Sequence, residues 1–78
     1  MTHTPHELAE EFPAEVERMR TLRAENAHFA RIADEYHAVN RAIHRAETLV
    51  EPIAEHEEAR LRRQRLALKD EISAMLHA

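Results

Sequence analysis

The sequence predicts an all-α protein, an antiparallel two-helix hairpin of the coiled-coil kind with a short N-terminal helix. Three observations predict this fold. The 78 residues include no glycine, the usual residue for left-handed turns and phosphate-binding loops, so the chain favours right-handed helix. Apolar residues recur at seven-residue intervals. Acidic residues follow Pro13 and Pro52, as they do at the start of a helix.

Residues 1–12 are expected to form a short N-terminal helix or arm. Thr4 and Glu7 have the spacing of a capping box, with Pro5 at the first helical position between them. Leu8 and Phe12 then supply apolar side chains. Pro13 interrupts this helix, because the residue before a proline is pushed out of the helical region.

The hairpin is expected to occupy residues 13–78 and to begin with a long helix over about 13–49. Glu15 and Glu17 lie in its first turns, where the helix dipole favours negative charge. Its apolar residues recur every seven positions, and a second apolar set lies three residues after the first. This is the pattern of an a/d seam. The two sets are Leu22, Phe29, Tyr36, Ile43 and Val50, and Ile32, Val39 and Ala46.

The turn is expected near residues 50–51, and the second helix over about 52–77. An alternative interpretation makes Pro52 a kink in one continuous helix. A proline inside a helix costs about 3 kcal/mol, and the acidic run after Pro52 is typical of a new helix start, so the hairpin is favoured.

Folding back at this turn predicts one register for the two helices. It brings Arg65 near Tyr36, Asp34 and Glu35, and Glu58 near Arg41 and Arg45. The residues expected in the hairpin core are Leu22, Phe29, Ile32, Tyr36, Val39, Ile43, Leu61, Leu68, Ile72 and Met75.

The predicted helices differ in length, about 54 Å against about 39 Å. The N-terminal apolar residues would therefore overhang without a partner in the same chain. An isolated two-helix hairpin is also a doubtful fold, so we expect self-association into a helical bundle, most simply a dimer. Its interface is expected to use Leu8, Phe12, Val16, Met19, Leu66 and Leu76, with Asn26 and Asn40 as polar residues that set the register.

Two segments carry a family resemblance. Residues 26–32 read Asn-Ala-His-Phe-Ala-Arg-Ile and residues 66–72 read Leu-Ala-Leu-Lys-Asp-Glu-Ile, with Phe12-Pro13 and Glu35-Tyr36 as further matches. Together they resemble the small bacterial YdcH-like proteins over about residues 12–76. The resemblance implies a coiled coil with no established activity and no assigned site residues. The chain departs from that family near the turn, where it lacks the glycine or serine that members often have.

Candidate chemical sites are few. Glu25-x-x-His28 and Asp34-x-x-His37 have the spacing of di-iron bundle ligands, but His28 and His37 fall on opposite sides of the stripe, so we expect no metal and no cofactor. Ser73 is the only serine, and cysteine is absent. Without a nucleophile motif or a glycine-rich loop, the sequence predicts no enzyme.

The expected function is therefore non-enzymatic protein–protein interaction by a homo-oligomer. The alternative is an RNA- or DNA-associated accessory protein that uses Arg60, Arg62, Arg63 and Arg65. The net charge of −4, the flanking glutamates and the lack of aromatic residues among the arginines weigh against it. No apolar run approaches the about 18 residues of a membrane helix, and we expect a cytoplasmic protein.

Overall fold

The computed structural model describes residues 4–48 and 53–78, which form helices and turns and no strand. Their α-helices are α1 (Leu8–Glu11), α2 (Val16–Glu25), α3 (Ala27–Glu47) and α4 (Glu55–Leu76), and a 3₁₀ turn, Pro13–Glu15, joins α1 to α2. The all-α prediction is confirmed.

Helix α4 lies antiparallel to α3. Its start is near the end of α3, where Arg62 pairs with Glu47, and its last turns are near the start of α3, where Glu71 lies 2.6 Å from His28. One continuous helix kinked at Pro52 would not place these residues together, so that alternative is wrong. Residues 49–52, with the expected turn at 50–51 and the expected helix start at Pro52, lie outside the described residues.

The expected single helix over 13–49 is broken at Asn26. This residue has an extended backbone (φ −131°, ψ 106°), and its side-chain Oδ1 accepts a hydrogen bond from the Phe29 N–H. Asn26 therefore caps α3, as asparagine often does at the first position before a helix. The break allows α2 to fold back, so that Arg23 pairs with Asp34 of α3 and Arg18 donates to the Leu76 carbonyl at the end of α4.

The N-terminal apolar residues do not overhang. Leu8 and Phe12 are buried in the same core as α3 and α4, and so is Leu76. All three were expected in an oligomer interface, and this expectation is corrected: they are buried within the single chain. The expected capping box at Thr4 is also wrong, because α1 begins at Leu8 with Glu7 as the preceding residue.

The core runs along α3. Eight of its residues are buried, whereas α4 buries Leu68, Ile72 and Leu76 and α2 buries none. All ten residues expected in the hairpin core lie in this core or pack against it; Leu22, Leu61 and Met75 are the ones that stay partly exposed. Ala33, Asn40 and Ala46 of α3 are buried as well.

Candidate interaction surface

The N-terminal segment is fixed to α3 by two part-buried hydrogen bonds. The Tyr36 hydroxyl donates to the His6 carbonyl at 2.6 Å, and the Asn40 side chain donates to the Pro5 carbonyl at 2.9 Å. Arg65 of α4 in turn donates to Asn40 Oδ1 at 2.9 Å. Asn40 therefore joins three parts of the chain, and residues 4–12, here called the arm, close over the α3–α4 pair.

The arm depends on one unusual backbone conformation. His6 has φ 63°, in the left-handed region that costs a non-glycine residue about 1–2 kcal/mol. Histidine is among the residues that are enriched there. The hydrogen bonds to the Pro5 and His6 carbonyls offset this cost. A chain without glycine thus still makes a left-handed turn, supported by tertiary contacts.

Burial and charge perturb two groups of this network. Burial raises the pKa of Tyr36 to about 12, with the carboxylate of Glu11 acting in the same direction. Lys69 donates to Glu11 Oε1 at 3.1 Å, and this hydrogen bond lowers the pKa of Glu11. Glu11 also lies 3.3 Å from His6 Nδ1. These contacts join the arm to α4 as well as to α3.

An apolar groove opens between the arm, α2 and α3. Its volume is about 320 Å³, and His37, Glu7, Arg20 and Arg23 stand around an apolar lining of Leu8, Ala9, Val16, Met19, Phe29 and Ala33. Arg20 pairs with Glu17 and Arg23 with Asp34. His37 Nδ1 is buried 3.0 Å from Glu7 Oε2, without the alignment of a hydrogen bond. The groove is suited to apolar side chains.

Val16 and Met19, both expected in an oligomer interface, line this groove and are half-exposed. Leu66, the other exposed member of that expected set, lies on α4 with 58% of its surface exposed. The arm, α2 and α4 therefore leave two separate apolar features at the surface. Asn26 caps α3, and Asn40 holds the arm. The role expected of both residues in setting the register of an oligomer stays a prediction.

The arginine cluster of α4 does not form one free basic face. Arg60 pairs with Glu57, and Arg62 bridges Glu58 and Glu47. The bond from Arg62 to Glu47 raises the pKa of that guanidinium. The expected approach of Arg65 to Tyr36 is confirmed, since both line one cavity, but Arg65 bonds Asn40 rather than Asp34 or Glu35. Glu58 pairs with Arg62 within α4, and its expected position near Arg41 and Arg45 stays a prediction.

No metal site forms in the described part of the chain, where no three histidine or acidic side chains gather. His28 lies between Glu71 and Arg31. His37 faces Glu7 across the groove rim. The two histidines with di-iron spacing thus contact different elements, His28 with α4 and His37 with the arm.

A chain of three polar groups at the end of α4 was missed by sequence reasoning. Ser73 Oγ lies 3.3 Å from His77 Nδ1, and His77 Nε2 lies 3.2 Å from Glu15 Oε1. A nucleophile, a base and an orienting carboxylate have this order in hydrolases. Ser73 lies inside a helix, however, where backbone N–H groups are already bonded and leave no donors for an oxyanion. We assign the three residues to anchoring α4 on the 3₁₀ turn.

The family of the chain follows from its helical hairpin segment. A family model described as a protein of unknown function, DUF465, matches residues 29–76, more than half of the chain. The chain belongs to the DUF465 family. The matched segment contains nearly all of α3 and all of α4 but excludes the arm and α2. The comparisons with curated proteins and with solved structures found no match for this chain.

Within residues 4–48 and 53–78, each helix is too short or too polar to cross a lipid bilayer.

Proposed function

We propose that this DUF465 protein is a non-enzymatic helical module that binds protein, and that its first partner is a second copy of itself. The observation that carries the proposal is the apolar surface left after the chain has closed its core. Leu66 is 58% exposed on α4, and Val16 and Met19 stay half-exposed in the groove. Scattered exposed apolar residues are common, but here they border concave surfaces.

We also propose that the chain is a YdcH-like coiled-coil protein. This narrower family assignment agrees with a helical module that binds protein. The cytoplasmic location stays a prediction. The arm supports the view that the chain folds before it associates, because Leu8 and Phe12 are already buried without a partner chain. We therefore expect a monomer–dimer equilibrium rather than an obligate dimer.

Sedimentation velocity of the full chain tests this proposal. Over concentrations from about one micromolar to about one millimolar, the mass should rise from that of a single chain, 9.1 kDa, towards twice that value. A mass that stays at one chain throughout would contradict self-association.

Single substitutions would show which surface is used. Leu66→Gln tests α4, and Met19→Gln tests the groove. Thr21→Gln is the matched control, since Thr21 is exposed on α2 and lies outside the groove lining. Loss of association in one of the two test variants identifies the interface, and an equal loss in the control would show that the effect is not specific.

Nucleic-acid association has less support, because Arg60, Arg62 and Arg65 are already held by glutamates or by Asn40. Titration of the full chain into labelled single-stranded RNA at two salt concentrations tests it. We expect no binding at either. Affinity that falls steeply with salt, and that Arg63→Ala weakens, would favour this second function.

A further inference from the structure

The outward face of α4 carries a stripe of residues with two charged members, Arg63 and Asp70. Its members alternate at spacings of four and three residues and therefore lie along one side of the helix: Ala59, Arg63, Leu66, Asp70 and Ser73. The buried residues of α4 lie on the opposite side, namely Leu68, Ile72 and Leu76. Leu66 is the centre of the stripe and its most exposed apolar side chain.

The two charges of the stripe have no oppositely charged partner among residues 4–48 and 53–78. Of the ion pairs and side-chain hydrogen bonds formed by residues 4–48 and 53–78, none involves Arg63 or Asp70. Their neighbours three and four positions away in α4 offer no opposite charge either, and are Ala59, Arg60, Leu66, Ala67, Ser73 and Ala74. Arg60 and Arg62, by contrast, each have a glutamate partner.

We propose that α4 crosses α4 of a second copy in the antiparallel direction, with a two-fold axis at Leu66. Arg63 lies three residues before Leu66 and Asp70 four residues after it, at about 4.5 Å and about 6 Å along the helix axis. A two-fold rotation about Leu66 therefore places Arg63 of each chain beside Asp70 of the other. The stripe is self-complementary, as a two-fold interface requires.

The surroundings of Leu66 fit this crossing. Because the two-fold axis passes at Leu66, the two Leu66 side chains meet across it and cover each other's exposed surface. Ala59 and Ser73 are small and let the helix axes approach to the usual 8–10 Å. The two leucines thus fill matching positions on the two chains.

The size of the contact predicts a weak dimer. Helix α4 has 22 residues, or about 33 Å of axis, and one crossing of this length falls below the about 1,200 Å² of specific stable interfaces. We expect a dissociation constant on the order of micromolar or weaker. This inference rests on the proposed self-association and adds to it the surface and the symmetry.

Charge exchange tests the inference by sedimentation equilibrium of the full chain. Arg63→Asp alone, or Asp70→Arg alone, replaces both attractive contacts by repulsive ones and should weaken dimerisation about tenfold. The double variant R63D/D70R restores both contacts with reversed sign and should return the dissociation constant to within about threefold of the original.

Mixing the two single variants tests the two-fold symmetry. One variant then carries two aspartates and the other two arginines at these positions, so an equimolar mixture should form heterodimers more tightly than either variant forms homodimers. The control is E35R/R41D on α3, whose two residues are exposed and are absent from the ion pairs of the described residues. We expect the control to leave dimerisation unchanged.

The outcomes separate the two proposals. Dimers that form normally in both single variants would overturn the α4 crossing and leave the proposed self-association intact. A chain that stays monomeric at every concentration would overturn the self-association itself. Loss in the single variants without recovery in the double variant or in the mixture would overturn the two-fold arrangement, with circular dichroism showing that each variant remains folded.

Discussion

Helices α3 and α4 are almost the same length, 21 and 22 residues, yet α3 buries eight residues and α4 three. The difference comes from their neighbours. The arm, α2 and α4 all contact α3, whereas α4 packs mainly along α3 and keeps one side in solvent. Length and apolar content do not set how much of a helix is buried; its position in the packing does.

The two helices also differ in how they begin. The first turn of α3 has a side-chain cap from Asn26 and no acidic residue, whereas α4 follows Ala54, has no side-chain cap and has three glutamates in its first turn. The first half of α4 buries no residue and is held by exposed ion pairs such as Arg60–Glu57. Packing stabilises α3 and surface charge supports the start of α4.

The largest effect is expected from the inner side of α4. Ile72→Ala removes a fully buried side chain and should lower the free energy of unfolding by about 3 kcal/mol. Leu66→Ala, on the outer side of the same helix, should change it by no more than about 0.5 kcal/mol. Urea denaturation at a protein concentration that keeps the chain monomeric measures both. Equal losses would show that α4 has no distinct inner and outer side.

The next effect concerns the buried polar residue of α3. Asn40→Ala removes the bonds to Pro5 and Arg65 and leaves their half-buried polar groups without this partner, so it should cost about 2 kcal/mol. Hydrogen exchange should also accelerate in residues 5–12, because the arm loses an anchor. Gln64→Ala, at an exposed amide of α4, is the control and should change neither quantity. Unchanged exchange in the arm would mean that Asn40 does not hold it.

A third pair of substitutions tests the unequal helix starts. Asn26→Ala should lower the free energy of unfolding by about 1 kcal/mol, because the Phe29 N–H loses its acceptor. Ala54→Ser gives α4 the cap that it lacks and should raise stability by about 0.5 kcal/mol. Thermal unfolding followed by circular dichroism measures both. A stable, more helical N26A protein would show that α2 and α3 can fuse into one helix.

The smallest effect depends on pH. The Glu11 pKa is lowered below 4.5 by Lys69, so the carboxylate contributes stability above pH 4.5, and this contribution is lost as the pH falls through the folded-state pKa. Glu11→Gln should therefore be less stable than the original chain near neutral pH and match it in acid. Urea midpoints at several pH values measure this. The exposed residue Glu35 gives the control E35Q; a pH-independent loss in E11Q would point to packing instead.

Much of the core was predictable because burial follows the seven-residue repeat. Phe29, Tyr36 and Ile43 have less than 2% of their surface exposed, as the a/d spacing indicates. The break at Asn26 was not predicted, although an asparagine directly before an apolar run is a helix-start signal. The seven-residue repeat of apolar residues continues across Asn26. The spacing alone therefore does not reveal a helix break that leaves the repeat in phase.

The interaction surface was predictable only in part. Leu66, Val16 and Met19 could be selected as apolar residues off the main stripe, but Leu8, Phe12 and Leu76 share that property and are buried. Which of them face solvent depends on the arm, whose path requires a left-handed His6 and the carbonyl acceptors at Pro5 and His6. These are contacts between residues about 30 positions apart, and no local pattern encodes them.

The sequence by itself determined that the chain is helical and which face of α3 is buried, because the absence of glycine and the spacing of apolar residues act locally along the chain. The tertiary structure decided where the first long helix ends, where the arm lies and which apolar residues remain exposed. Those outcomes depend on competition for one small core, and the fold-back of the arm and α2 covers most of the apolar surface that a straight helix would have left to a partner.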